Sequence, residues 1–491
     1  MKFILFLVAS AILASITNAG VQDGAFVHLF EWSWPDVAQE CEDFLGPMGY
    51  QAVQVSPPME HIQGDQWWTR YQPVSYVLTS RSGDEQQFQD MVNRCNKAGV
   101  AIIADAVVNH MAASPSGTAF GIAGTKFMGR QFAPYNYDAG MMHHTQGNDQ
   151  TNCAVTNYNN ADSVQQCDLV GLVDLDYENN DVQQIVADYI NKLTKMGVKG
   201  VRIDAAKHIR HDSLAGMFNK IGNTYRFQEV IYGAGEPIEP EQYTDIGEVT
   251  EFRFGTNLFS QFKEGSQGTM QYLSTFGESW GMIAGAYAVT FTDNHDTQRS
   301  ADNVMTYKMG VNYNLANYFM LAHPYGHPKV MSSYYFSDND SGPPSSAVHD
   351  GSNVDCGNGN TWVCEHRRGG IANMAGFRLA TAGTNVTEWQ TDQNTNRISF
   401  GRNGKGFFAL NMDGGEWGTP FETGMSDGKY CNAIVDDNMY FKNSKAPKKS
   451  GGLFGSSGCA EDQQEIEVSN GQATVTVPGM SAFAIHVGAK A

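Results

Sequence analysis

Cations are scarce in this chain. Its 32 Lys and Arg are outnumbered by 52 Asp and Glu, leaving a net charge of −20. Nucleic acid and anionic membrane surfaces both recruit clustered positive charge, so this balance argues against either as a partner. It suits a soluble protein with a neutral partner such as a glycan. Long apolar runs are missing as well. The one at the N-terminus, Phe3 to Leu13, is too short to cross a bilayer. None of the eight Cys has the spacing of a metal site, which sets zinc aside. No internal repeat and no low-complexity linker is found.

The N-terminus has a single Lys, that apolar core, and then Thr17-Asn18-Ala19. The pattern predicts a secretory signal over 1–19, cut after Ala19, and a secreted, extracellular product. A buried N-terminal strand is the alternative. Eight Cys in an oxidising compartment favour disulfides, although sequence alone permits about a hundred pairings. Proximity suggests two small loops, Cys153–Cys167 and Cys356–Cys364. Asn385-Val386-Thr387 is a usable glycosylation acceptor and Asn339-Asp340-Ser341 a poorer one.

A chain of 491 residues, 41% of them hydrophobic, can bury several cores. Short apolar strands are expected at 25–30, 52–56, 101–107, 199–204, 226–230, 247–251, 287–292 and 329–333, interleaved with helices. A helix over 181–196 would place Val182, Ile185, Val186, Tyr189, Ile190, Leu193 and Met196 on one face, with Gly197 as its stop. Residues 84–98 read likewise, with Phe88, Met91, Val92 and Cys95 inward. Eight strands alternating with helices predict a (β/α)8 barrel, whose site lies at the C-terminal strand ends. The alternation fails between Asn109 and Tyr177, in a stretch rich in Gly, Asn, Asp and His. Compact domains rarely carry so long a structureless loop. Residues 110–176 are therefore assigned to a small inserted, disulfide-stapled, metal-bound domain, and 20–109 with 177–386 to the barrel. Short strands at 397–400, 407–411, 473–477 and 482–487, separated by Gly turns, predict a C-terminal antiparallel β-domain over 387–491.

Chemistry concentrates at strand ends. The run Gly200-Val201-Arg202-Ile203-Asp204-Ala205-Ala206-Lys207-His208 closes a short buried strand with polar groups. Period two puts Arg202 and Asp204 on one face, and buried charges need partners. A purely structural ion pair is the plain alternative. Three more clusters follow the same design: Asp105-Ala106-Val107-Val108-Asn109-His110, Phe227-Gln228-Glu229-Val230-Ile231 and Phe291-Thr292-Asp293-Asn294-His295-Asp296. In this order and spacing, the four clusters resemble the signature regions of the α-amylase family of glycoside hydrolases. Val-His-Leu-Phe-Glu-Trp (27–32), Trp-Trp-Thr-Arg-Tyr-Gln-Pro (67–73) and His-Pro-Tyr-Gly (323–326) are similar to the animal-type, chloride-dependent members. The resemblance runs from about Gly20 to the C-terminus.

It implies Asp204 as nucleophile, Glu229 as acid/base, and Asp296 as the acid that binds the distorted sugar. Adjacent acids repel, so at least one pKa must rise; Glu229, in an apolar strand, is expected to stay protonated. Trp67, Trp68, Tyr71 and Tyr158 match aromatic cleft positions of the family. Gln72, His110, Lys207, Glu236 and His295 match polar subsite positions. The implied calcium ligands are the side chains of Asn109 and Asp174 and the carbonyls of Gln165 and His208. The implied chloride ligands are Arg202, Asn294 and Lys329. The family pattern also pairs Cys41 with Cys95 and Cys431 with Cys459. Asp105 reads as a packing and hydrogen-bonding residue near the site.

Four departures stand out. Gln165 and Lys329 replace commoner Arg residues. Tyr232 stands where Asp is usual. The Gly-rich loop that often follows Asp296 is missing, since Arg299 leads directly into Ser300-Ala301-Asp302. The resemblance implies a secreted, monomeric, endo-acting enzyme. It would bind starch, glycogen and malto-oligosaccharides and cleave internal α-1,4-glucosidic bonds with retention, through a covalent glycosyl-enzyme intermediate. An α-glucosidase or transglycosylase of the same family is the nearer alternative. A non-catalytic glycan-binding protein is the more distant one, and the complete set of three acids argues against it.

Overall fold

The computed structural model describes residues 24–143, 153–266, 269–392, 396–447, 459–460 and 463–491. The expected signal over 1–19 lies outside them. Eight parallel strands form a closed barrel: β1 (Phe26–Leu29), β2 (Ala52–Val55), β3 (Ala101–Ala106), β4 (Gly200–Ile203), β5 (Tyr225–Gln228), β6 (Glu248–Thr250), β7 (Ala288–Thr290) and β8 (His327–Ser332). Sequence neighbours pair, and β8 closes on β1, so that Phe26 lies opposite Lys329 on one side and Ala52 on the other.

Side chains alternate across this sheet with period two. Val27, Leu29, Val53, Val55, Ile102, Ala104, Val201 and Ile203 belong to the main core. Phe26, Ala52, Ile103, Phe227 and Val289 form a separate apolar cluster. The barrel strands also carry His28, Gln54, Asp105, Arg202 and Lys329, all buried. Tyr225, Glu248 and His327 form a hydrogen-bonded group at the strand starts, and Asp105 and Arg202 lie toward the strand C-termini, where a barrel site sits.

Four of the wrapping helices start on a capping side chain, the fourth being Glu251 before Phe252–Phe262. In α1 (Trp34–Glu40) the Ser33 hydroxyl accepts from the Asp36 N–H at 3.2 Å. Helix α2 (Glu85–Lys97) opens on a reciprocal Asp84–Gln87 capping box, and α3 (Asn180–Lys195) on Asn179. Then come α4 (His211–Phe218), α5 (Phe252–Phe262), α6 (Val311–Ala322) and α7 (Gly369–Ala380). Between β5 and β6 a single 3-10 turn, Pro240–Tyr243, stands where the alternation predicts a helix. Pro237 and Pro240 leave no unbroken helical run there.

Between β3 and α3 the chain leaves the barrel. His110–Ala113 pairs antiparallel with Leu172–Asp174, which brings Asp174 opposite His110, and Thr118–Phe120 pairs with Lys126–Met128. The C-terminal region holds two four-stranded antiparallel sheets. One is built from β9 (Thr387–Thr391), β10 (Arg397–Gly401), β11 (Gly406–Asn411) and β16 (Ser481–His486). The other joins β12 (Trp417–Glu422), β13 (Gly428–Cys431), β14 (Glu465–Ser469) and β15 (Gln472–Val477). The sequence reading missed β9, β12, β13 and β14. β9 has no fully buried residue, β12 and β14 bury only scattered or alternate ones, β13 is four residues long, and β12 contains Gly418 and Pro420. Disulfides join Cys41 to Cys95, Cys153 to Cys167, Cys356 to Cys364, and Cys431 to Cys459. Among the described residues, no helix is long and apolar enough to cross a membrane.

Candidate active site

Arg202, buried on β4, organises the upper end of the barrel. Its Nη1 donates to Asp105 at 2.7 Å and to Asp204 at 2.8 Å, and its Nη2 contacts Glu229 at 2.6 Å. One guanidinium therefore gathers three carboxylates from β3, β4 and β5. The N–H of Asp204 donates to the Ala106 carbonyl at 3.1 Å, and that of Glu229 to the Ile203 carbonyl at 3.0 Å. These bonds extend the barrel ladder by one residue, so both acids sit on rigid backbone. Ala205 then takes a left-handed φ of 48°. That conformation costs a residue with a Cβ about 1 kcal/mol or more. It aims the Ala205 N–H at Glu229 Oε2, 2.9 Å away.

Asp296 enters from the loop after β7. The Asn294 side-chain oxygen accepts from the N–H groups of Asp296 (3.0 Å) and Thr297 (2.7 Å), which starts the helical turn Thr297–Ser300. Asp296 is the most open of the three acids, with a side chain 39% exposed against 9% for Asp204 and for Glu229. Burial, then the charges of Glu229 and Asp105, push Asp204 well above the usual carboxylate range, against the pull of Arg202. Confinement in the site and the Glu229 charge push Asp296 up to about 7, opposed by Arg202 and Arg299. Glu229, expected to remain the protonated acid, receives two donors, Arg202 Nη2 and the Ala205 N–H.

The aromatic wall is a 3-10 turn, Trp67–Tyr71, pinned from beneath by buried Arg70. That guanidinium donates to the Pro57 carbonyl, Ser80, Ser82 and Glu31. Tyr71 stacks on His295 with ring centroids 5.0 Å apart and donates its hydroxyl to Asp105 at 3.0 Å. Trp67 meets the edges of both Tyr71 and His295. Trp68 and Gln72 are half-buried on either side, and Gln72 accepts from the Ala113 N–H. His110 is fully engaged, with Nε2 on the Tyr71 carbonyl (3.0 Å) and Nδ1 facing the Asn109 amide (3.2 Å). Burial lowers it to about 4, so it is a neutral imidazole. His295 reaches Asp296 at 3.2 Å, and its other ring nitrogen is buried without a partner. On the opposite side, Lys207 donates to the Ile231 carbonyl at 2.6 Å and pairs with Glu236, beneath the exposed ring of Tyr158 at 5.6 Å. Tyr232 rests on the Arg253 guanidinium, 4.4 Å away, and Arg253 is paired with Glu251 and Glu241.

The structure shows the expected calcium ligands as two pairings, Asn109 with Asp174 and the backbone around Gln165 with His208. Asn109 and Asp174 are both buried, with the Asn109 amide donating to Asp174 at 3.3 Å. The Val164 carbonyl contacts His208 Nδ1 at 2.8 Å, which sets the Gln165 backbone beside His208. Burial raises Asp174 to about 7, despite His143 on its other oxygen at 2.7 Å. A buried carboxylate beside amide and carbonyl oxygens is a donor set suited to a hard cation. Lys329 makes a long bond to Gln54, 3.4 Å, and lies 4.8 Å from the Phe291 ring centre, while the Gln54 amide nitrogen is buried without a partner. Burial and then Arg202 lower the Lys329 ammonium to about 7, the mark of two cations crowded in a dry space.

Some contacts of this centre escaped the sequence reading. Gln54 was legible as a polar residue between Val53 and Val55. The packing of Arg299 and the Tyr232–Arg253 stack had no local signal, because their partners lie on other loops.

The first family model that matches is described as the alpha amylase catalytic domain, over residues 39–329. The second is the alpha amylase C-terminal all-beta domain, over 389–488. An alpha-amylase of Tenebrio molitor is 40% identical over 487 residues, covering 95% of this chain and 98% of the relative. An alpha-amylase-related protein of Drosophila teissieri is 41% identical over 433 residues, covering 83% of this chain and 85% of the relative. The crystal structure of alpha-amylase I from Eisenia fetida superposes with a TM-score of 0.82 at 34% identity, covering 94% of this chain and 97% of that one. A mutant of that enzyme in complex with maltohexaose superposes with a TM-score of 0.83.

Proposed function

The chain belongs to the α-amylase family of glycoside hydrolases, and on that premise we propose that it is a secreted endo-acting enzyme cleaving internal α-1,4-glucosidic bonds of starch and glycogen with retention of configuration. The observation that carries this reading is the sharing of Arg202 by Asp204 and Glu229. Retention needs two carboxyl groups about 5 Å apart, whereas inversion needs a gap of about 6.5–9.5 Å that admits a water. Two acids on one guanidinium fit the closer pairing.

In this reading Asp204 attacks the anomeric carbon while Glu229 delivers a proton to the departing glycosidic oxygen. The glycosyl-enzyme then yields to a water from which Glu229, now a carboxylate, takes a proton. Asp296, the acid most open to solvent, binds the distorted sugar and supports its oxocarbenium-like charge. Trp67, Trp68, Tyr71 and Tyr158 offer faces to sugar rings. Gln72, Lys207, Glu236 and His295 offer polar groups, and His110 acts by fixing the Tyr71 carbonyl. Asn109, Asp174, and the carbonyls of Gln165 and His208 would hold a calcium ion, which ties the insertion to the barrel beside Asp204. Arg202, Asn294 and Lys329 would hold a chloride ion, which offsets positive charge near Glu229.

Four disulfides and the expected signal sequence support secretion, and the scarcity of cations supports a glycan partner over nucleic acid or membrane. We take the chain to act as a monomer. The test is digestion of soluble starch with product sizing and anomeric analysis by NMR. Internal cleavage with α-configured new reducing ends is expected. Release from chain ends only, or β-configured products, would replace this reading with an exo-acting or inverting one.

A further inference from the structure

Arg299 makes contacts that the reaction does not account for. It is 8% exposed, and its guanidinium carbon lies 4.2 Å from the ring centre of Phe336, 5.2 Å from Tyr334, and 5.3 Å from both Trp67 and Phe30. Its Nη1 donates to the His295 carbonyl at 2.7 Å, while Nε and Nη2 are buried without a hydrogen-bond partner. A desolvated cation with two unused donors is held mainly by the faces of the surrounding rings.

The backbone closes a circuit around it. The Asn339 amide donates to the Arg299 carbonyl at 2.8 Å, and the Trp67 indole N–H donates to the Asn339 carbonyl at 2.8 Å. Four separate segments, those after β1, β2, β7 and β8, are joined at this one side chain. Thr297 to Met309 contains no glycine, and Val304, Met305, Thr306 and Tyr307 within it are buried. A segment packed in this way is not built to swing.

We propose that Arg299 is a positioning residue that locks Trp67 to the turn carrying Asp296, so that this wall of the cleft is set before substrate arrives. The role rests on the α-amylase reading above, in which Trp67 is a sugar platform and Asp296 a carboxylate of the reaction. Asn339, the poorer glycosylation acceptor of the sequence, has one amide N–H engaged in this circuit.

The test separates the charge of Arg299 from its planar face. Maltoheptaose is titrated calorimetrically into Glu229→Gln and into Glu229→Gln with Arg299→Met. Binding about tenfold weaker is expected in the double variant, the scale of one desolvated cation–π contact. In the active enzyme, Arg299→Met should raise KM for maltoheptaose by a similar factor and lower kcat less. It should also move the acid limb of kcat/KM to higher pH. Asp296 faces Glu229, Asp105 and His295 as well as Arg202 and Arg299, and it would lose one of its two cations. Arg299→Lys should restore the acid limb without restoring KM. Melting curves check that each variant folds. Should Arg299→Met fail to fold, Phe336→Leu removes the nearest ring and carries the same expectation for binding. Unchanged affinity and KM in a folded variant, or full recovery with lysine, overturns the role. Such a result leaves the α-amylase reading standing if wild type still cleaves starch. A wild type that neither binds maltoheptaose nor cleaves starch overturns both.

Discussion

The Nη2 of Arg202 lies 2.6 Å from Oε1 of Glu229, so a guanidinium expected to border the chloride also touches the proposed acid/base carboxyl. A cation against a carboxyl group favours the ionised form, and an anion beside that cation weakens the pull. Chloride should therefore raise kcat and move the alkaline limb of the pH profile upward. The check is pH–rate profiles in chloride and in a large, weakly binding anion at equal ionic strength. Superimposable alkaline limbs would remove chloride from the mechanism. Lys329→Gln should leave an enzyme that responds little to the ion. Because burial and Arg202 lower Lys329 to about 7, chloride affinity, read as a rise in Tm, should weaken as pH climbs through that value.

Removing the reacting groups should cost rate and spare binding. Glu229→Gln keeps its shape but delivers no proton, and Asp204→Asn cannot attack. General acid–base catalysis alone contributes about 10²–10⁴-fold. Each variant should lose at least that much kcat on starch and still bind malto-oligosaccharides in calorimetry. A Glu229→Gln enzyme with a tenth of wild-type kcat would reassign the acid.

Calcium removal should be felt at the root of the insertion. A ligand bound only by the native state stabilises it by about 2.7 kcal/mol at a hundredfold its dissociation constant. Chelation should lower Tm and activity together, and Asp174→Asn should mimic it. An unchanged melting curve, with metal loss verified by elemental analysis, would free Asn109 and Asp174 from this duty.

Tyr232 has a structural account in its stack on Arg253 at 4.4 Å. Tyr232→Ala should destabilise the protein by about 0.5–2 kcal/mol in denaturant unfolding, the range of a part-desolvated cation–π contact. Tyr232→Phe keeps the ring face and should match wild type. Equal losses in both variants would place the contribution in the hydroxyl instead.

Much of the site was legible because barrel chemistry is written at strand ends. Asp105, Asp204 and Glu229 each close an apolar run, and the parallel ladder that buries the run also fixes the height of its last residue. Arg202 could be placed beside Asp204 by period two alone. What sequence cannot show is which loops meet above the rim. Trp67, Arg299 and Asn339 lie on three loops whose contact depends on how the barrel closes.

By itself, then, the sequence determined the alternation of strands and helices, the positions of the acids along it, and the kind of residue each site could hold. Those are properties of nearest neighbours and short periods, which a linear chain records directly. The tertiary structure alone decided that Arg202 would bond Asp204 and Glu229 together, that Ala205 would turn its N–H to Glu229, and that four rings would close around Arg299. Each depends on groups far apart in the chain, and only ring closure of the sheet brings them within bonding distance.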